Sequence, residues 1–200
     1  MKKYLDEMTD EELALAYVDG NMRAFDLLLE RNQSKVFSYI LFLVHDEELA
    51  NELFQDTFVK VISRLQNGKY INNGKFTAWC IRIAHNLIMD SFRHRQVTYA
   101  KIVQPGEDND LSNLSGEAVN NDNAENTYVR EQVMMDVKKL MLTLPTLQRE
   151  VVYMRFYQQM SFKEIAAATG VCINTCLGRM RYAILNMRRM AKQYNISLDF

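Results

Sequence analysis

The chain has 200 residues and carries 24 lysines and arginines against 25 aspartates and glutamates, so its formal net charge is −1. Only two prolines and seven glycines occur, and helix-favouring residues dominate, which argues against a β-rich fold full of turns. We therefore expect an all-α protein of one or two domains. No apolar run could span a bilayer and the N-terminus lacks a signal-peptide core, so we expect no membrane insertion and a cytoplasmic location.

Charge is distributed unevenly along the chain. Residues 129–200 carry a net charge of +6, whereas residues 97–128 carry −5. The acidic segment also loses helical periodicity and is rich in Asn, Asp, Ser and Gly, so it cannot bury enough apolar surface to offset its ordering entropy. We predict a flexible acidic linker at 97–128 that joins two helical domains, at 8–96 and 129–192, of which the second is suited to nucleic acid.

The first domain is predicted to be a helical bundle. Thr9 and Glu12 have the spacing of a capping box, and the helix that they open ends at Gly20. Helical segments follow at 24–31 and 35–44, and the second is almost continuously apolar, so we place it at the centre of the bundle.

Residues 47–65 form the clearest amphipathic helix, with a buried stripe that includes Leu49, Leu53 and Phe58. The opposite face is acidic around one apolar position, and its members are Glu48, Glu52, Gln55, Asp56 and Val59. Such a face is commonly just solvated, but it also suits binding to a basic partner surface.

A polar loop at 66–75 precedes a helix predicted over 76–94, whose core face includes Phe76, Trp79 and Cys80. Polar residues at spacings of four, four and three form a second stripe on this helix: Arg82, Asn86, Asp90 and Arg93. We interpret Asp90 as an internal partner of Arg93, because a carboxylate repels phosphate. Loop and helix together offer cationic, amide and aromatic side chains, which are suited to holding unstacked single-stranded bases.

The C-terminal part has the layout of a helix-turn-helix. Ser161 and Glu164 form a second capping box, a short alanine-rich helix over 162–169 follows, and Gly170 stands where a left-handed helix end is favoured. The next helix begins at Cys172 or Asn174 and carries Arg179, Arg181, Arg188 and Arg189 among its apolar residues. This arrangement is typical of modules that place one helix in a DNA groove.

No pattern indicates an enzyme. The three histidines are scattered, and there is no Gly-rich phosphate loop or nucleophile elbow. The three cysteines fit a reducing compartment, and the pair Cys172 and Cys176 has no nearby histidine, so a metal site there is a weak alternative. We predict no catalytic residues, no metal and no cofactor.

Four motifs in order resemble the extracytoplasmic-function sigma factors of bacterial RNA polymerase. ELANELFQDTFVKV is similar to their region 2.2, FTAWCIRIAHNLIMDSFRHR to regions 2.3 and 2.4, LPTLQREVVYMRF to the start of region 4, and SFKEIAAATGVCINTCLGRMRYAI to the promoter-reading helix-turn-helix. The resemblance covers about residues 10–190. In the recognition helix, the family's common T-V-K-S-R-L is replaced by a segment in which Leu177 and Gly178 stand for the lysine and the serine. The resemblance therefore implies the binding mode but not the promoter sequence.

The resemblance implies three interfaces and their partners. The implied protein partner is core RNA polymerase, at its beta-prime clamp and beta flap. The residues implied to bind core polymerase are Glu48, Glu52, Gln55, Asp56 and Val59. The promoter minus-ten element would be engaged by Lys69, Tyr70, Asn72, Asn73, Lys75, Arg82, Asn86 and Arg93. The minus-thirty-five element would be engaged by Asn174, Thr175, Leu177, Gly178, Arg179 and Arg181. An anti-sigma factor is a further partner that the resemblance raises. The alternative is a helix-turn-helix regulator that does not replace a sigma factor.

Overall fold

In the computed structural model, residues 4–70, 75–102 and 136–194 are described, and for 96–102 only the backbone is described. All regular structure in these ranges is helical, which confirms the all-α prediction. The chain divides into two compact units, the first holding the helices up to residue 102 and the second holding nearly all of the later ones. The predicted linker at 97–128 lies largely outside the described residues.

The first unit contains four α-helices after a short 3-10 turn at Leu5–Glu7. They are α1 (Asp10–Val18), α2 (Met22–Val44), α3 (Glu47–Gln66) and α4 (Phe76–Ile102). Helix α2 packs against α1, α3 and α4 and is therefore central, as its apolar sequence predicts. Its core residues include the fully buried Leu28, Val36, Tyr39 and Ile40.

Local capping explains several helix starts in this unit. The predicted capping box of α1 is present: the Glu12 backbone N–H donates to Thr9 Oγ1 at 3.2 Å, and the Thr9 N–H donates to Glu12 Oε2 at 2.8 Å. Asp46 caps α3 by accepting the Leu49 N–H at 3.0 Å. Gly20, at φ +100°, ends α1 in the left-handed region that glycine enters without a Cβ penalty.

Two helix bounds differ from the sequence prediction. Segments 24–31 and 35–44 are one continuous helix, because Asn32 is buried and its side chain donates to the Leu28 carbonyl at 3.0 Å and to Asp10 Oδ2 at 2.9 Å. Helix α4 continues to Ile102 rather than ending at His94. The basic run that ends the predicted helix is therefore inside it, and Arg95 faces Asp46 at 3.9 Å.

The second unit begins with helical residues 136–142 and continues with α5 (Thr146–Phe156), α6 (Phe162–Thr169) and α7 (Ile173–Gln193). Helix α5 packs against α7, and Asn186 Nδ2 donates to Gln148 Oε1 at 2.9 Å between them. The Arg149 guanidinium donates to the Leu142 carbonyl at 3.0 Å and so satisfies the end of the preceding helical segment. Burial lowers the pKa of this guanidinium.

Helices α6 and α7 form the predicted helix-turn-helix. The second capping box is present, with the Ser161 N–H donating to Glu164 Oε2 at 2.7 Å and the Glu164 N–H donating to Ser161 Oγ at 3.3 Å. Gly170 has φ +71°, as the predicted left-handed helix end requires. The turn between the helices spans residues 170–172, so α7 starts at the earlier of the two predicted positions, with Cys172 as its N-cap residue.

Candidate nucleic-acid and protein interfaces

The acidic face of α3 lies on the surface. It consists of Glu48, Glu52, Gln55, Asp56 and Val59, each of which is exposed. Val59 leaves 64% of its surface accessible, although it is an aliphatic residue in mid-helix. The opposite side of α3 is buried through Leu53, Phe58, Val61 and Leu65. An exposed apolar side chain inside a carboxylate-rich face is the composition expected of a docking surface for a basic protein.

The polar stripe of α4 also lies on the surface. Arg82, Asn86, Asp90 and Arg93 are all exposed, as their spacing predicts. Arg93 Nη1 lies 3.1 Å from Asp90 Oδ1, which is the internal pair that the sequence suggested. Because Arg93 is engaged with this carboxylate, Arg82 and Asn86 are the more available contacts of the stripe.

The loop before α4 contributes two exposed lysines, Lys69 and Lys75. Asn72 and Asn73 lie outside the described residues. The half-buried Tyr70 ring packs on Trp79 at a centroid distance of 4.7 Å and on Phe76 at 5.6 Å. Its hydroxyl is buried and has no hydrogen-bond partner in the described part of the chain. Burial, with a smaller contribution from the negative charge of Glu11, raises the pKa of Tyr70 to about 12. The structure therefore places Tyr70 as a packing residue at the base of the loop.

Helix α7 presents a distinct outward face. Its inner side buries Cys176, Met180 and Ala183. The predicted contacts that are exposed are Asn174, Thr175, Leu177 and Arg181, whereas Arg179 is partly buried. Gly178 lies roughly opposite the buried residues, since side chains two or five positions apart point about 140–160° away from each other around the helix axis.

Two outward residues of α7 are not among the contacts predicted from the sequence. Tyr182 is 62% exposed and Leu185 is 48% exposed. They follow Gly178 by four and seven positions, so they continue its face along the helix. The helical period of α7 is the signal that could have identified them.

The described cysteines are one exposed thiol, Cys172, and two buried thiols, Cys80 and Cys176. Cys172 is exposed at the start of α7, and its Sγ lies 3.1 Å from Thr175 Oγ1. That hydrogen bond lowers the pKa of Cys172, whereas burial raises the pKa of Cys80. Within the described ranges no three His, Cys, Asp or Glu side chains form a group that could hold a metal ion. The helices described there also include none with the length and hydropathy to cross a membrane.

An all-helical bundle with an exposed acidic helix, followed by a helix-turn-helix unit, is the arrangement expected of a DNA-binding protein that also binds another protein. Comparison with known families identifies the class. Residues 28–98 match Sigma-70 region 2, and residues 134–178 match Sigma-70, region 4, so the two regions together span more than half of the chain.

The chain is similar in sequence to several proteins that are named RNA polymerase sigma factors. The RNA polymerase sigma-H factor of Pseudomonas aeruginosa is 26% identical over 183 residues, which cover 88% of this chain and 90% of that protein. The ECF RNA polymerase sigma factor SigE of Mycolicibacterium smegmatis is 26% identical over 179 residues, covering 87% of this chain and 66% of that protein. The fold is similar to that of the sigma factor RpoE of Bartonella quintana, solved with the anti-sigma factor NepR. That comparison has a TM-score of 0.61 at 20% identity and covers 86% of this chain and 98% of the other.

The chain therefore belongs to the sigma-70 family of RNA polymerase sigma factors, the promoter-directing factors of transcription initiation, and falls in the extracytoplasmic-function group.

Proposed function

We propose that this sigma factor divides its work among three surfaces. The acidic face of α3 docks on core RNA polymerase, the loop and stripe around α4 engage the minus-ten element, and α7 engages the minus-thirty-five element. The observation that carries the proposal is the combination of a helix-turn-helix with an outward polar face and an exposed acidic helix that contains Val59.

Docking on polymerase is supported by the composition of the α3 face. Complementary charge steers association and fixes the orientation of the partners, whereas burial of an apolar side chain contributes affinity. We assign Glu48, Glu52, Gln55 and Asp56 to the first role and Val59 to the second.

Engagement of the minus-ten element is supported by the exposed cations and amides near the start of α4. Lys69, Lys75 and Arg82 suit the phosphate backbone, and Asn86 suits a base edge. In the family such a loop captures a base from the non-template strand, and unstacking a base costs about a few kcal/mol that a fitted pocket must recover. We retain Asn72, Asn73 and Arg93 as candidate contacts, and we assign Tyr70 to the support of this site.

Engagement of the minus-thirty-five element is supported by the outward face of α7. Arg181 is exposed and can pair bidentately with guanine, an interaction that contributes roughly 1–3 kcal/mol of base discrimination. Asn174, Thr175 and Leu177 lie in the first turns, where a recognition helix contacts base edges. Arg179 is less exposed and is the weaker candidate for base contact.

Reconstitution with core RNA polymerase tests the proposal. The purified protein should convert core enzyme into a holoenzyme that initiates transcription at defined positions on genomic DNA, mapped by sequencing of transcript starts. A regulator that does not replace a sigma factor would bind DNA but would give no specific initiation with core enzyme alone. The family match over residues 28–98 does not favour that alternative, because such a regulator has no need of region 2.

The same function places the protein in the cytoplasm with the polymerase and predicts that it acts by binding, without a catalytic residue or cofactor of its own. A protein partner of the anti-sigma type is proposed by analogy with the complex of the Bartonella quintana factor. Such a partner would occlude the α3 face or the outward face of α7.

A further inference from the structure

The residue that precedes helix α4 cannot cap the helix through its side chain. Thr9, Asp46 and Ser161 supply side-chain oxygens to the starts of α1, α3 and α6. The residue before α4 is Lys75, whose side chain is a donor and cannot accept a backbone N–H. The first N–H groups of a helix need an acceptor from elsewhere.

A residue of α1 provides that acceptor. The Phe76 backbone N–H donates to Glu11 Oε1 at 3.2 Å, across 65 positions of sequence. The carboxylate also places negative charge at the positive end of the α4 dipole, where it is favourable. Glu11 therefore supplies an acceptor that the Lys75 side chain cannot provide, and it ties the start of α4 to α1.

A contact from α2 supports the next residue of α4. Thr77 Oγ1 donates to Asn32 Oδ1 at 2.6 Å, and Asn32 Nδ2 donates to Asp10 Oδ2 at 2.9 Å. Arg31, the neighbour of Asn32 on α2, is held against the residues just before α1. Its guanidinium donates to the Asp6 carbonyl at 2.8 Å and to the Met8 carbonyl at 2.7 Å. Two successive acidic residues of α1 are thus linked to the first turn of α4: Glu11 directly, and Asp10 through the Asn32 side chain.

The chain on the N-terminal side of α4 is tied to the same turn. Tyr70 packs on Phe76 and Trp79, and the Lys75 carbonyl accepts the Trp79 N–H at 3.1 Å. Phe76 itself is only 1% exposed and anchors α4 in the core through its side chain. Loss of the Glu11 contact would therefore leave α4 folded but would remove the tie on the Phe76 amide, next to Lys75, the exposed cation that directly precedes the helix.

We propose that Glu11 is a positioning residue for promoter recognition: its carboxylate fixes the start of α4 and with it Lys75 and Arg82 at the minus-ten DNA. The inference rests on the proposed function of this surface. Nothing in the sequence around Glu11 suggests the role, because the residue lies in the first turn of α1, far from the DNA-binding motifs. It acts through the backbone of Phe76 and touches no base.

The experiment compares reconstituted holoenzymes that carry wild-type protein, Glu11→Ala, Glu11→Gln or the control Glu30→Ala. Glu30 is an exposed carboxylate on α2, so its removal changes the net charge equally. The probe is a promoter fragment with an unpaired non-template minus-ten strand, taken from a mapped start site and labelled with 2-aminopurine. Each holoenzyme is titrated with the fragment and with a scrambled minus-ten version, and binding to core enzyme is measured in parallel.

We expect Glu11→Ala to weaken binding of the minus-ten fragment about three- to tenfold, with core binding unchanged, and to speed hydrogen exchange at the Phe76 amide. Glu11→Gln should recover most of the loss, since its amide oxygen can accept the same hydrogen bond. Equal binding by Glu11→Ala and Glu30→Ala would overturn the inference. So would a Glu11→Gln variant as weak as Glu11→Ala. If wild-type holoenzyme does not distinguish the fragment from the scrambled version, the proposed function of this surface fails instead.

Discussion

Gly178 occupies the middle of the outward face of α7, where a glycine costs about 1 kcal/mol relative to alanine. A Cβ built on it would meet no heavy atom of the described chain within 4 Å, so packing within the protein does not require the glycine. Its neighbours on the same face include Asn174, Arg181 and Tyr182. The absence of a side chain leaves the helix backbone open to close approach, and duplex DNA is the ligand that we propose for this face.

Gly178→Ala therefore should have opposite effects on stability and on promoter binding. We expect α7 to be stabilised by about 1 kcal/mol, seen as slower hydrogen exchange of its amides. We also expect weaker binding to a minus-thirty-five duplex, measured by titration of the holoenzyme. Gly170→Ala is the matched control, since its φ of +71° makes alanine strained and should destabilise the unit. Unchanged or tighter DNA binding by Gly178→Ala would contradict close approach at this position.

The exposed thiol at the start of α7 gives a second residue-scale prediction. Because the hydrogen bond from Thr175 lowers the pKa of Cys172, more of this thiol is thiolate at neutral pH than in a free cysteine. Iodoacetamide at about pH 7 should modify Cys172 before the buried Cys80 and Cys176, as mass spectrometry of tryptic peptides would show. Thr175→Val should raise the pKa and slow the reaction at about pH 7. The difference in rate between wild type and Thr175→Val should vanish at about pH 10, where Cys172 is ionised in both proteins.

At the scale of elements, α3 buries one side in the core of the bundle and presents the proposed polymerase-docking face on the other. Its inner side is closed by Leu53, Phe58 and Val61, so substitutions on the outer face should leave the bundle intact. This separation makes the docking proposal testable without unfolding the first unit.

Charge reversal on the outer face of α3 should weaken polymerase binding. We expect the double variant Glu52→Lys and Asp56→Lys to bind core enzyme at least about tenfold more weakly, equivalent to about 1.4 kcal/mol, because like charges would then face each other. The loss should shrink as salt is raised, and fluorescence titration with labelled core enzyme measures it. Glu30→Lys on α2 is the control for net charge. Equal affinity of the double variant and the wild type would show that this face is merely solvated.

Helix starts with a local chemical signal were predictable, and those without one were not. The capping boxes at Thr9 and Ser161 gave the starts of α1 and α6 because both partners lie three residues apart. The start of α4 was placed from apolar periodicity alone, and its cap from Glu11 lies 65 positions away, beyond any local pattern. Likewise, the continuity of α2 depends on Asn32, whose burial is repaid by a tertiary bond to Asp10.

At the scale of the whole molecule, the acidic composition of residues 97–128 predicts a flexible connection between two independently folded units. The cost of closing a flexible connection grows only slowly with its length, by about 0.6 kcal/mol for each doubling. Ten Gly and Ser residues inserted after Gly116 should therefore reduce promoter-specific transcription by less than about twofold.

The same ten residues inserted after Gly170 provide the comparison. They would separate α6 from α7 inside the helix-turn-helix and should abolish promoter-specific transcription. Run-off transcription with reconstituted holoenzyme measures both variants. A loss of more than about fivefold from the insertion after Gly116 would indicate that residues 97–128 form a fixed spacer.

The sequence by itself determined the helical class, the helix-turn-helix and the exposed faces of α3 and α4, because these depend on period, composition and local caps. The acidic face of α3 and the α4 stripe were found on the surface as their spacing predicted. Only the tertiary structure decided which candidates are engaged within the protein. Tyr70 packs against Trp79 and Glu11 caps α4, and both contacts join segments that only folding brings together.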